Sequence, residues 1–456
     1  MTQSPTAPAG TGEPDLWCSY AAVRTLSWLG RTDAVADRDG LRRFLAGRRN
    51  ADGGYAWSRG MASDAWATYY CTQTMADLGW PPPQPARTRD WLRSTWSGAA
   101  YAMVPGQAPD VWATHFSTRT VAAGGDAVPD RAALTGWLRS LQGADGGLCW
   151  SPADAAHGAA DVRAGYYGTM SWAATAPPGE PPPWDVPRLV GWLRRQQDPA
   201  GGFRLAESAE VPCLWATYRA VGALAALGAA PRDPAAATAW VGGNRGATGA
   251  FVRWPGYPVE DVWAAFCAVG TLRLLGAPLA AVEGPVVARM RALRCPGGGY
   301  TYREPPLAAD ALTTAAGILS SGGHRGMRAW LEGCQLPNEG GVMYMPGRGA
   351  EVRCTLWALA AGAFAGDPAG RTRIARWIGE LQNPDGGFGY WAGRASDVVS
   401  TASAVEILRL LGVPPPRGLD ADRLRRFVRS CDPSTGGAGH ANVPGAPATL
   451  RAGLQA

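Results

Sequence analysis

One phrase returns along this chain and limits what it can fold into. An apolar stretch carrying Trp or Phe runs into Gln or Arg, then into a turn that closes on Gly-Gly and an apolar, usually aromatic residue. Clear copies are Arg49-Asn50-Ala51-Asp52-Gly53-Gly54-Tyr55, Gln142-Gly143-Ala144-Asp145-Gly146-Gly147-Leu148, Gln197-Asp198-Pro199-Ala200-Gly201-Gly202-Phe203 and Gln382-Asn383-Pro384-Asp385-Gly386-Gly387-Phe388. Looser copies stand at Cys295-Pro296-Gly297-Gly298-Gly299-Tyr300, at Pro337-Asn338-Glu339-Gly340-Gly341 and around Gly436-Gly437. A period of roughly 45–50 residues is the mark of a repeat architecture.

A second phrase keeps the same period. An acid leads into an apolar helix at Asp15, Asp64, Asp110, Asp161, Glu210, Asp261, Asp310, Glu351 and Asp397. A carboxylate at a helix entrance accepts bonds from free backbone N–H groups and complements the dipole. Ala, Thr and Trp after each acid suit a helix buried on most sides. A second, amphipathic stretch follows, as with Leu41, Phe44 and Leu45 between Asp39 and Arg48. Pro-rich connectors such as Pro81-Pro82-Pro83 and Pro414-Pro415-Pro416 separate the helices. Each unit therefore reads helix, break, helix, Gly-Gly turn, and the fold class is all-α. The aromatic content of the inner series favours closure into a ring around a hollow over an open solenoid.

Composition removes several functions. The chain has no Lys, so Schiff-base chemistry is excluded and anions would fall to Arg. A net charge of +6 without a basic stripe argues against nucleic-acid binding. The Cys lack any Cys-x-x-Cys pair and read as buried, reduced thiols, which points to a cytoplasmic protein. Residues 1–12 lack the basic start and apolar run of a signal peptide and read as a disordered tail. No apolar run is long enough for a transmembrane segment, while peripheral membrane contact stays open. His115, His157, His324 and His440 fall in no zinc-ligand spacing, so no metal site is expected.

The repeats resemble those of the terpene cyclase and protein prenyltransferase superfamily. The turns at Trp137–Trp150 and Trp377–Trp391 are similar to its Gln–Trp repeats, and the likeness runs from Asp15 to about His440. It implies two α/α toroids in the βγ arrangement of class II terpene cyclases. The expected division is residues 13–35 plus 246–456 for a β-like toroid and 36–245 for an inserted γ-like one. The helices starting at Asp15, Asp261, Asp310, Glu351, Asp397 and near Thr449 would then share a ring, with its pocket at the helix starts or between the rings.

Class II cyclases begin with Asp-x-Asp-Asp-Thr at an inner-helix entrance, whose middle Asp protonates the substrate. The matching stretch is Asp310-Ala311-Leu312-Thr313-Thr314, in which Leu312 stands where the proton donor would be. Asp310 is the first candidate acid. Glu260 and Asp261 are the others, since adjacent carboxylates can raise one pKa and store a proton. Trp17, Tyr20, Trp263, Tyr300, Tyr302, Trp357, Tyr390 and Trp391 would line the pocket and shield carbocations. Arg303 and Arg353 would clamp a diphosphate, as would Arg163. The resemblance thus implies an enzyme that binds a linear isoprenoid or prenyl diphosphate and cyclises it through a non-standard acid. A non-catalytic prenyl-binding or scaffold protein and a zinc-free prenyltransferase are the alternatives. No resident cofactor is expected, and Mg²⁺ would enter only with a diphosphate substrate.

Overall fold

The computed structural model describes residues 14–57, 61–158, 160–207, 209, 211–257, 259–301, 311–323, 325–337, 339–344, 350–383, 385–391, 396–412 and 419–430. Regular structure among them is helical, and β pairing is confined to isolated bridges, most of them across the turns. None of these helices is long and apolar enough to cross a membrane. The chain divides into two compact units, Met1–Pro306 and Leu307–Ala456.

The first unit contains α1 (Leu16–Trp28), α2 (Arg38–Ala46), α3 (Ala65–Asp77), α4 (Pro85–Ser94), α5 (Val111–Ala123), α6 (Arg131–Arg139) and α7 (Pro152–His157). It continues with α8 (Val162–Thr175), α9 (Val186–Arg195), α10 (Leu214–Ala226), α11 (Pro234–Gly243), α12 (Val262–Leu274) and α13 (Ala280–Ala292). Helices α1, α3, α5, α8, α10 and α12 each pack on the next, and α12 returns to α1. Sequence explains which helices go inside. The α12 residues Val262–Leu272 are buried all round, whereas α9 buries only Leu189, Trp192 and Leu193 along one stripe.

The repeated phrases hold each hairpin together. In the third clear copy, Gly201 has φ +112° and an added Cβ would lie 2.2 Å from the Ala236 carbonyl oxygen. A Cβ on Gly202 would lie 2.6 Å from the Trp240 ring. Only glycines let the turn approach the outer helix that closely. Gln197 Nε2 donates to the carbonyls of Gly201 (3.2 Å) and Asp233 (2.8 Å), and its Oε1 accepts from Asp233 N (3.0 Å). It thereby fastens the turn to the cap of the following outer helix. Gln382 repeats this with Gly386 and Asp420. The inner helix is tied in as well, because Phe203 N donates to Thr217 Oγ1 at 2.9 Å. Tyr55 with Thr68 and Phe388 with Thr401 do the same.

Asp15, Asp64, Asp110, Asp161 and Asp261 cap their helices through backbone N–H groups. The expected start at Glu210 differs. Glu210 lies outside the described residues, and α10 is capped by Cys213, whose Sγ accepts from Ala216 N at 3.4 Å.

The second unit contains α14 (Ala311–Ser321), α15 (Arg325–Gly333), α16 (Val352–Ala360), α17 (Pro368–Glu380), α18 (Val398–Leu411) and α19 (Ala421–Ser430). Helices α14, α16 and α18 form a consecutive inner row.

The two-unit division differs from the expected 13–35 plus 246–456 and 36–245. The ring that holds α1 also holds α3, α5, α8 and α10, because α1 packs against both α3 and α12. A backbone bond from Asp15 N to the Tyr300 carbonyl (2.9 Å) fixes the closure. The expected last helix near Thr449 lies outside the described residues.

Candidate functional site

Equivalent positions of the six inner helices of the first unit form tiers along the ring axis. The second residues of these helices are Trp17, Trp66, Trp112, Arg163, Trp215 and Trp263. The Trp17 ring lies 5.7 Å from Trp66, 5.8 Å from Trp215 and 4.7 Å from Trp263, and Trp66 lies 4.4 Å from Trp112. The helix-start end of this ring is therefore occupied by indoles that pack on one another. Packing wins because rings at these separations bury each other's faces and edges.

The fifth residues are Tyr20, Tyr69, His115, Tyr166, Tyr218 and Phe266. Their hydroxyls meet in pairs, Tyr20 with Tyr69 at 3.4 Å and Tyr166 with Tyr218 at 3.2 Å. The ninth residues are Arg24, Gln73, Arg119, Met170, Gly222 and Gly270. Here a cavity of about 310 Å³ opens toward the helix C-termini, lined by Tyr20, Arg119, Tyr166, Met170 and Tyr218 and by Trp28. Glycine makes the room. A Cβ on Gly270 would stand 2.5 Å from Tyr218, and one on Gly222 would stand 2.7 Å from Tyr166.

Electrostatics differ from group to group around this cavity. Arg24 is paired with Asp77, which also accepts from Gln73 Nε2 at 3.1 Å. Burial pushes the Asp77 carboxyl above its ordinary value, against the opposing pull of Arg24. Burial, reinforced by Arg119 and Arg219, holds His115 well below the ordinary imidazole value, so it is neutral. The phenols of Tyr20, Tyr166 and Tyr218 are raised by burial and keep their protons. Arg219 is embedded among Trp215, Tyr166 and Tyr167 and donates to Trp215 O and Tyr167 Oη, both at 3.3 Å. Arg119 lies over the Tyr69 ring at 5.4 Å and faces the cavity.

Of the residues expected at a site, the structure brings Trp17, Tyr20 and Trp263 together within the ring, and only Tyr20 reaches the cavity. Tyr300 serves a turn, because its N donates to Ser19 Oγ at 2.9 Å and its side chain is buried outside the cavity lining. Arg163 is held by Asp161 at 2.7 Å and lies over the Trp150 ring.

The carboxylates of Glu260 and Asp261 are kept apart by different partners. Asp261 accepts from Trp263 N (2.8 Å), Ala264 N (2.9 Å) and Arg253 Nε (2.8 Å). Glu260 accepts from Thr248 N at 2.8 Å and from the Thr248 hydroxyl, which fixes the preceding turn. Each carboxylate thus has a set of donors of its own.

Tyr302, Arg303 and Asp310 lie outside the described residues. Arg353, Trp357, Tyr390 and Trp391 belong to the second unit. There Tyr390 Oη donates to Glu351 Oε2 at 2.7 Å, and burial together with Glu351 raises its pKa. Arg353 lies 5.8 Å from the Tyr390 ring and Trp391 5.1 Å from it, while Trp357 is 39% exposed. No group of three or more His, Cys, Asp or Glu among the described residues could hold a metal ion.

Arg119, Asp77, Tyr166 and Tyr218 were not singled out from sequence. The signal was their shared offset from the helix starts, legible only once each helix boundary is placed to the residue.

A model of the prenyltransferase alpha-alpha toroid domain matches residues 4–92, 58–177, 180–300 and 307–449. No curated protein matches the chain. Among solved structures, the chain is similar to Candida albicans protein geranylgeranyltransferase-I complexed with GGPP, at 12% identity and a TM-score of 0.46, over 60% of this chain and 87% of that one. It is also similar to the type II terpene cyclase MstE from Scytonema at 14% identity and a TM-score of 0.39, over 59% and 90% of the two chains. A third is ent-copalyl diphosphate synthase from Streptomyces platensis, at 17% identity and a TM-score of 0.23, over 93% and 89%.

Proposed function

The chain belongs to the prenyltransferase alpha-alpha toroid family, and on that premise we propose that its first unit binds a linear isoprenoid in the cavity at the ninth-residue tier. The observation that carries this reading is the cavity itself, about 310 Å³ with tyrosines beneath it and Trp28 and Met170 beside it. That volume is at the lower edge of small-molecule pockets, so it suits a short chain better than a long polyene. Aromatic faces and small apolar residues offer a flexible hydrocarbon contact without demanding hydrogen bonds. The fold alone does not choose between binding and chemistry.

Cyclisation started by protonation is the finer activity within this reading, and Asp310 would be its acid. Helix α14 begins at Ala311, the residue that follows Asp310 in the sequence. Asp261 and Glu260 are less suited, given the donors that surround each. Incubating the protein with geranyl, farnesyl and geranylgeranyl diphosphates and with squalene, with and without Mg²⁺, tests both levels. Ring products lost on Asp310→Ala support a cyclase. Saturable binding without products supports a prenyl-binding protein, and a joined acceptor product supports a prenyltransferase. Absence of binding by every one of these ligands ends the isoprenoid reading.

A further inference from the structure

We propose that His115 makes the wall of this cavity open in mild acid, with α5 and α8 parting as the imidazole takes up a proton. The cavity then loses the residues that these two helices give it, Arg119, Tyr166, Met170 and Ala173. The device does not depend on what the cavity binds, and its test uses no ligand.

His115 is the exception in its tier. The other fifth residues of the inner helices are Tyr20, Tyr69, Tyr166, Tyr218 and Phe266, whose side-chain types do not change charge between about pH 5 and 8. Packing asks only for a ring there, as those five positions show. The imidazole is 3% exposed, and its Nδ1 is buried without a hydrogen-bond partner among the described residues. A buried polar atom left unpaired is uncommon and calls for a reason.

Among the described residues, the helices around His115 offer an imidazolium no counter-charge. Its own helix supplies Arg119, one turn on. Helix α3 presents Tyr69, at 6.0 Å between ring centroids, and α8 presents Tyr166 and Tyr167 at 5.5 and 4.9 Å. Arg219 of α10 lies over the rings of Tyr166 and Tyr167. The carboxylates nearby are engaged: Asp77 of α3 by Arg24, Asp110 by Ala113 N and Asp161 by Arg163. Helix α4, which also packs on α5, carries Arg87, Arg89 and Arg93 with Asp90, which Arg93 holds at 3.8 Å. A proton on His115 thus adds a third cation beside Arg119 and Arg219, and an unpaired buried charge is strongly opposed. Once opening brings the imidazole to water, it takes a proton near pH 6.5.

Helix α5 is built to yield. Thr114, His115, Phe116, Ser117, Thr118 and Thr120 are all residue types of modest helix propensity. Thr118 Oγ1 turns back to the carbonyls of Thr114 (2.7 Å) and His115 (3.2 Å), and Thr120 Oγ1 to that of Phe116 (2.8 Å), bonds that slightly destabilise a helix. Ser117 Oγ is a second buried atom without a partner among the described residues. Packing rather than propensity holds this helix, so it opens before the whole ring unfolds.

Hydrogen exchange read by mass spectrometry on the full chain, from pH 7.5 to pH 5 and corrected for the chemical exchange rate, measures the opening. With an open-state imidazole near 6.5 and a closed state that refuses the proton, the opening equilibrium of α5 and α8 should rise about thirtyfold over that span, while α1 and α12 stay protected. His115→Phe should abolish the rise, and so should His115→Gln, which is polar but has no charge to gain. A rise that persists in either variant would assign it to other groups and overturn the proposal. Equal rises in all six inner helices of the first unit would mean global unfolding and overturn it too, as would flat exchange in the unaltered protein. If His115→Phe fails to fold, His115→Gln and the unaltered protein still decide the question.

Discussion

Asp261→Ala separates a helix cap from a catalytic acid. The Asp261 side chain is fully buried and that of Arg253 is 8% exposed, and they meet at 2.8 Å. Truncation removes two backbone acceptor contacts at the start of α12, a loss of about 1 kcal/mol for a typical cap. It also breaks the buried ion pair with Arg253, and breaking such a pair typically costs roughly 3–5 kcal/mol. Together these predict a loss of about 4–6 kcal/mol, or roughly 10 °C in Tm for a unit of this size. Asp261→Asn keeps an oxygen for the cap and loses only the charge, so its loss should fall between wild type and Asp261→Ala. Arg253→Met combined with Asp261→Asn should be less destabilised than the sum of the single changes, with a coupling above about 1 kcal/mol. Urea unfolding followed by circular dichroism measures all four proteins. A loss below about 1 kcal/mol for Asp261→Ala would refute the argument. Loss of ring products in a fully stable Asp261→Asn would return Asp261 to the list of acids.

Three further outcomes follow from named contacts. His115 stays neutral in the fold while an unfolded His titrates near 6.5, so below that pH the unfolded state gains a proton that the native state refuses. Stability should therefore fall by up to about 1.4 kcal/mol per pH unit below 6.5 on this account, and His115→Phe should flatten that slope in urea titrations; parallel slopes would count against it. Gly201→Ala, with φ +112° and its Cβ 2.2 Å from a backbone oxygen, should lose more than about 3 kcal/mol in thermal unfolding. Gly228→Ala, at φ +68° with open space around it, should lose only about 1–2 kcal/mol; equal losses would show that the close approach is not what selects glycine at Gly201. Burial pushes the Cys267 thiol up to about 12, so at pH 8 it should resist an aromatic disulfide reagent until the protein is unfolded, and rapid native-state labelling at Cys267 by mass spectrometry would contradict this.

The sequence discloses what the repeat reuses. Asp at a helix start, Thr four residues on, Gln before a turn and Gly-Gly within it all recur because every hairpin needs the same bonds, as Gln197 and Gln382 show. How many hairpins close a ring is less legible. Closure depends on small rotations between neighbours, and no residue pattern marks where α12 meets α1. The cap of α10 was misplaced because Cys213 takes over the acceptor role that carboxylates play elsewhere. Asp261 reads as a store for a proton in the sequence because Arg253, eight residues earlier, is brought back to it only by the turn that pairs Val252 with Glu260. Pairs made by tertiary return leave no spacing signal of their own.

The same logic explains where function is written in this ring. Second residues are nearly all Trp and fifth residues nearly all aromatic, since adjacent repeats must fill the axis with similar bulk. Ninth residues obey no such rule: Arg24, Gln73, Arg119, Met170, Gly222 and Gly270 share no size, charge or polarity. Stacking alone would favour one solution repeated six times. Two glycines opposite two arginines are the opposite of that: they cost helix propensity, and their missing Cβ atoms admit the Tyr166 and Tyr218 rings. Two explanations compete for such a tier, the close approach of those rings and the space it encloses for a ligand. If Gly222→Ala and Gly270→Ala raise the stability of the first unit while emptying its ligand binding, the ligand explains the tier. If they lower both, the glycines serve the approach of Tyr166 and Tyr218, and the tier is architecture after all.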